Sequence, residues 1–95
     1  MSQIRRLVLD LLKPHDPSMV EITREIAALE GIAGVNGVLV ELDEDVENVK
    51  LTIEGEDIGT DAVEETVTTL GGTIHSVDQV VCGDRLVEET ETPQD

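Results

Sequence analysis

The sequence predicts an α+β sandwich in the order strand, helix, strand, strand, helix, strand. Three observations carry that reading. Four stretches alternate apolar and polar residues with period two, and apolar residues at helical spacing follow the first and third of them. A short acidic turn separates the second stretch from the third, the pattern of a hairpin. Glycines and prolines punctuate the boundaries, so two strand–helix–strand halves follow one another.

The first strand is expected from Ile4 to Leu12, with Leu7, Leu9 and Leu11 on one face and Arg6, Val8 and Asp10 on the other. Lys13-Pro14-His15-Asp16-Pro17 ends it, because two prolines do not continue a ladder. Ser18 and Glu21 form a capping box, and Met19, Ile22, Ile26 and Leu29 recur at helical spacing until Gly31. The second strand is expected from Val35 to Asp43, with Val38, Val40 and Leu42 alternating against Leu39, Glu41 and Asp43. Glu44 to Asn48 make the turn, and Val49, Leu51 and Ile53 then alternate with Lys50, Thr52 and Glu54. Thr60 is the expected N-cap of a second helix whose apolar face is Val63, Val67 and Leu70, ended by Gly71-Gly72. Thr73 to Val81 make the last strand.

This order is the ferredoxin-like βαββαβ arrangement, a four-stranded antiparallel sheet with two helices on one face. Residues 1–83 form the domain, and the acidic stretch 84–95 reads as a mobile tail. Because the helices cover one face only, the other face or an edge meets solvent or another subunit. Alternation puts Val8, Leu12 and Leu39 on that uncovered face, which favours self-association. A core without a single Phe, Tyr or Trp points the same way, since a small aliphatic core gains from a partner or a bound ion.

Composition narrows the function. With 22 acidic residues against 6 Lys and Arg, the net charge of −16 repels nucleic acid and anionic membrane. An acidic, lysine-poor chain reads as adapted to a high-salt cytosol, where cations screen the self-repulsion. The rival reading is cation capture by the carboxylates. Cys82 is the only cysteine, so no intrachain disulfide forms. The first residues carry no apolar leader core and no run approaches membrane-spanning length, so a cytoplasmic protein is expected.

Several constellations offer chemistry. Asp43, Asp45, Glu47 and Glu54 occupy positions one, three, five and twelve of an EF-hand loop, but Asn48 replaces its glycine and no helices flank it. A solvated hairpin tip is the plainer reading, although carboxylates there suit calcium or magnesium in another geometry. Asp10 and Glu41 share the uncovered-face phase, and Asp78 joins them if the last strand keeps register. His15 and His75 approach one another, with Lys13 near, if the first and last strands are central neighbours. Ser76 beside His75 is no nucleophile–base pair, because adjacent strand residues face opposite ways. There is no glycine-rich phosphate loop, and the protein is expected not to be an enzyme.

Four ordered motifs resemble one family. Leu9-Asp10-Leu11-Leu12-Lys13-Pro14-His15, Val35-Asn36-Gly37 with Glu41 and Asp43, Ile53-Glu54-Gly55, and Ile74-His75-Ser76-Val77-Asp78 are similar to the archaeal domain-of-unknown-function 211 family. The resemblance spans residues 4–83. It implies a ferredoxin-like fold, ring-like homo-oligomers, no established enzymatic activity and an association with divalent cations, calcium included. It also implies that Asp10, Glu41, Asp43 and Asp78 contact the cation, with Lys13, His15, His75 and Ser76 as further site residues, His75 and Ser76 as orienting or interface groups. The unusual acidity marks a salt-adapted member. The expected function is therefore a homo-oligomer that binds calcium. A small-molecule-sensing module, by analogy with paired domains of this fold, is the alternative.

Overall fold

The computed structural model describes residues 3–89. Its elements are β1 (Ile4–Lys13), α1 (Met19–Ala27), β2 (Ile32–Leu42), β3 (Glu47–Gly55), α2 (Thr60–Thr69) and β4 (Thr73–Cys82). They form one antiparallel sheet in the order β2-β3-β1-β4. This is the expected ferredoxin-like arrangement. One detail differs: β1 and β4 are neighbours as foreseen, but only β1 is central and β4 is an edge strand. The tail expected from residue 84 is described as far as residue 89, where it has no regular secondary structure; residues 90–95 lie outside the described residues.

The core lies between the sheet and the helices. Leu7, Leu9 and Leu11 of β1 and Val49, Leu51 and Ile53 of β3 meet Ile22 and Ile26 of α1 and Val63 and Val67 of α2, all buried. Full burial of each such aliphatic side chain contributes about 1.5–3 kcal/mol, so central strands rather than aromatic anchors carry the stability. Ser18 caps α1 as its sequence predicts, its hydroxyl accepting the Glu21 N–H at 3.2 Å. For α2 the cap is Gly59, with Thr60 the first helical residue. Gly37 lets β2 lie close under α1, since a Cβ there would stand 2.9 Å from Thr23 Oγ1 and 3.3 Å from Leu51.

Strand register decides what reaches the uncovered face. Val35, Gly37 and Leu39 pair with Ile53, Leu51 and Val49, so Leu39 belongs to the helix-side face. That corrects its expected place opposite. The phase then slips at a bulge between Leu39 and Glu41, and Glu41 pairs with Asn48 on the open face. Without the slip, Glu41 would point into the helix side. Between β1 and β4 the register shifts three times, leaving Arg5 on β1 and His75 and Asp78 on β4 as extra residues between paired neighbours. Val8, on the open face as foreseen, is nonetheless buried between its partners Thr52 and Gln79. Both edges of the sheet present exposed aliphatics: Val38, Leu39, Val40 and Leu42 on β2, Val77 and Val80 on β4.

Candidate functional site

Two rows of paired residues cross the open face near the β2–β3 turn. Val38, Lys50, Asp10 and Ser76 make one row; Glu41, Asn48, Leu12 and Thr73 make the next. A cavity of about 180 Å³ sits there. Asp10, Glu41 and Asp43 bring three carboxylates to it, His75 closes the β4 side, and Leu12, Val46 and Asn48 complete the lining. Four of the eight residues singled out in the sequence thus converge, drawn from β1, β2, the following turn and β4.

Asn48 fixes Asp10. Its amide donates to Asp10 Oδ1 in a short contact and to the Leu11 carbonyl at 3.0 Å. Lys50 lies across from Asp10 in register, yet the four ion pairs among the described residues are Arg6–Glu54, Arg6–Glu88, Lys13–Glu47 and His15–Glu47. None involves a carboxylate of the cavity. The donor chemistry, oxygen-rich and anionic, suits a hard cation. A closed cage is another matter: among the described residues, no three His, Cys, Asp or Glu side chains converge tightly enough to hold a metal ion directly.

Asp78 lies outside this cavity. As an extra residue in its own bulge on β4, it accepts a hydrogen bond from Ser76 Oγ at 2.7 Å. The sequence placed it with Asp10 on condition that the strand kept register, and the register does not keep. His15 makes its hydrogen bonds to the β2–β3 turn and the start of β3 rather than to His75. Its Nδ1 is 2.9 Å from Glu47 Oε2 and its Nε2 is 2.8 Å from the Glu44 carbonyl oxygen. Glu47 also accepts from Lys13 Nζ at 2.9 Å, while Lys13 donates to the Pro14 carbonyl at 2.6 Å. Lys13 is fully buried on the helix-side face, an expensive place for an ammonium unless it is paired in this way. The Glu47 carboxylate and then the Glu44 carbonyl raise the His15 pKa, and His15 and then Lys13 lower that of Glu47.

Sequence reasoning passed over Asn48 and Glu47 except as members of a rejected EF-hand. Alternation alone signalled both, since Asn48 shares the phase of Lys50 and Glu47 that of Val49. Glu54, the twelfth position of that loop, is instead far along β3 and accepts from Arg6 Nε at 2.7 Å.

The DUF211 family model, described as "Uncharacterized ArCR", matches residues 5–95. The chain belongs to the DUF211 family. It is also 48% identical to the uncharacterized protein MJ0319 of Methanocaldococcus jannaschii over 95 residues, covering all of this chain and 98% of that protein. DUF211 membership agrees with the resemblance carried by the four sequence motifs, and the cavity draws on three of them, which contribute Asp10, Glu41 with Asp43, and His75. Among the described residues, no helix of this DUF211 chain is long and apolar enough to cross a membrane.

Proposed function

We propose that this chain is a non-enzymatic homo-oligomeric protein that binds a hydrated divalent cation, calcium in the first instance, at the open-face cavity. One observation carries the reading. Asp10, Glu41 and Asp43 are gathered at a single cavity, and none of the ion pairs that Arg6, Lys13 and His15 make among the described residues reaches them. Gathered carboxylates repel one another, and a divalent ion relieves that repulsion while retaining several of its waters. Asn48 and His75 act as orienting groups at the rim.

Self-association is supported by the two edges. Each presents exposed aliphatic side chains beside unpaired backbone groups, surfaces that a monomer leaves open to pairing. A ring-like assembly follows if one edge of each copy meets the other edge of the next, because a heterologous contact closes into a ring or runs on as a fibre. A second copy would also bring further oxygen donors to the cation. The charge of −16 supports a cytoplasmic, salt-adapted member of the family.

Calorimetric titration of calcium in molar salt tests the site, with Asp10→Asn, Glu41→Gln and Asp43→Asn each expected to weaken binding by about tenfold or more, the loss of one charged contact. Asp78→Asn, outside the cavity, is expected to change it far less. Unchanged affinity in all three cavity variants sinks the assignment. Native mass spectrometry of the same samples decides the oligomer, and a metal-free monomer refutes the reading as a whole.

A further inference from the structure

We propose that His15 is a positioning residue for the open-face cavity: as an imidazolium it clasps the β2–β3 turn that forms one wall, and it lets the turn go when the proton leaves. The inference rests on the cation reading for its purpose, though not for its geometry.

Both ring nitrogens of His15 face atoms that only accept. Nδ1 meets the carboxylate of Glu47 at 2.9 Å and Nε2 meets the backbone carbonyl of Glu44 at 2.8 Å. A neutral imidazole carries one N–H, so one of these contacts would set lone pair against lone pair. Only the doubly protonated ring satisfies the two together. The charged groups bearing on it are Glu47 from β3, which favours the proton, and Lys13 from the end of β1, which opposes it while sharing the same carboxylate. Asp16 follows it in its own loop. The ring side chain is 45% exposed, so protons exchange with solvent without any opening of the fold.

The clasp reaches the cavity through very little chain. Glu44 lies directly after Asp43, whose N–H donates to the Val46 carbonyl at 2.9 Å to close the turn. Asp43 and Val46 both line the cavity. Glu47, the other clasp point, directly precedes Asn48, which holds Asp10. One protonated ring therefore steadies the turn at one peptide unit from a cavity carboxylate and the strand at one residue from the amide that fixes another.

The pH signature separates this from ordinary ligand titration. Carboxylate ligands as a class lose protons as pH rises and hold a cation more tightly. Release of the His15 clasp has the opposite sign. Calcium affinity should pass through a maximum and then fall severalfold as pH climbs through the His15 titration.

Nuclear magnetic resonance of the full chain without divalent ions, over about pH 5 to 9, follows the only two histidines and the amides of residues 43–46. The expected result is His15 titrating above its ordinary value with both ring nitrogens protonated at the lower limit, and turn amides shifting at the same midpoint. His15→Gln should abolish that midpoint in the turn. Calcium calorimetry at the two pH limits should show the fall in the parent chain and none in His15→Gln. A His15 that titrates at or below its ordinary value, or turn amides that ignore it, overturns the clasp. Turn amides that follow it while calcium affinity stays level overturn the positioning role. No calcium binding at any pH removes the cation reading, and the ring and amide titrations then decide the clasp by themselves.

Discussion

Glu47 and Asn48 are adjacent on β3, and their side chains leave the sheet on opposite faces. On the helix side the Glu47 carboxylate meets a buried ammonium and an imidazole. On the open side, Asn48 lends one amide to Asp10, with Glu41 and Asp43 at the same cavity and no ion pair for any of these carboxylates among the described residues. The two faces of one strand end thus treat negative charge in opposite ways. In a chain with 22 acidic and 6 basic residues, where the basic groups go is informative. Arg6 and Lys13 go to Glu47, Glu54 and Glu88, and among the described residues no ion pair reaches the open-face cavity.

The largest way to break this contrast is to remove the paired carboxylate. Glu47→Gln leaves the buried Lys13 ammonium with the Pro14 carbonyl and an amide oxygen. Orphaning a buried charge costs about 3 kcal/mol even when polar partners remain, and urea denaturation should register that loss. The open-face counterpart should behave in reverse. Asp10→Asn or Glu41→Gln in low salt without divalent ions should leave stability unchanged or raise it slightly, because like charges are relieved. What these variants lose is stabilisation by calcium, which for the parent chain is about 2.7 kcal/mol at a free concentration one hundred times the dissociation constant. Destabilisation of the metal-free chain by either substitution would mean that the cavity carboxylates are structural, and the contrast between the faces would collapse.

Much of this was legible before any coordinates. Period-two alternation in β1 and β3 placed Leu7, Leu9, Leu11, Val49, Leu51 and Ile53 correctly because both strands run without a register break against each other. The outer strands were harder, since a bulge inserts one residue and turns over every side chain beyond it. Leu39 was assigned to the wrong face for that reason, and Glu41 reached the right one only because the slip between them restores its phase. His75 and Asp78 stand in bulges of β4, so one joins the cavity and the other does not, a division that alternation has no means to express. The Lys13–Glu47–His15 cluster was hidden more deeply. It joins residues more than thirty positions apart, and nothing in a run of acidic turn residues marks which one meets a lysine.

A smaller effect sharpens the helix-side half of the comparison through pH. His15 is raised above its ordinary 6.5 by Glu47 and then by the Glu44 carbonyl, so its contribution is complete below that value and lost as pH rises through the higher folded one. Glu47 is lowered from 4.5 by His15 and then Lys13, so its contribution is complete above that value and lost as pH falls through the depressed one. The stability difference between the parent chain and His15→Ala should therefore be greatest between these limits and shrink on the alkaline side. Melting temperatures across the range check it, and a difference that grows with pH would contradict the assigned partners.

The smallest effect belongs at the far end of the open face. Arg6 joins Glu54 through Nε at 2.7 Å and grips Glu88 with both terminal nitrogens, each at 2.9 Å. The pair with Glu88 is bidentate, a favourable geometry, but the Glu88 side chain is 68% exposed. Arg6 holds that carboxyl below its usual range, first by the hydrogen bonds and then by charge, yet water and salt screen the attraction. Glu88→Gln should lower the melting temperature slightly at low ionic strength and not at all in about 1 M salt, where charges more than ~3 Å apart are screened. Glu47→Gln should keep most of its cost in the same salt, because its partner is buried. The ratio of the two losses, measured at both salt concentrations, separates a pair that organises the fold from one that decorates it. Equal salt dependence would place Lys13–Glu47 in effective contact with solvent, and the asymmetry between the two faces at the β2–β3 turn would then rest on the open-face cavity alone.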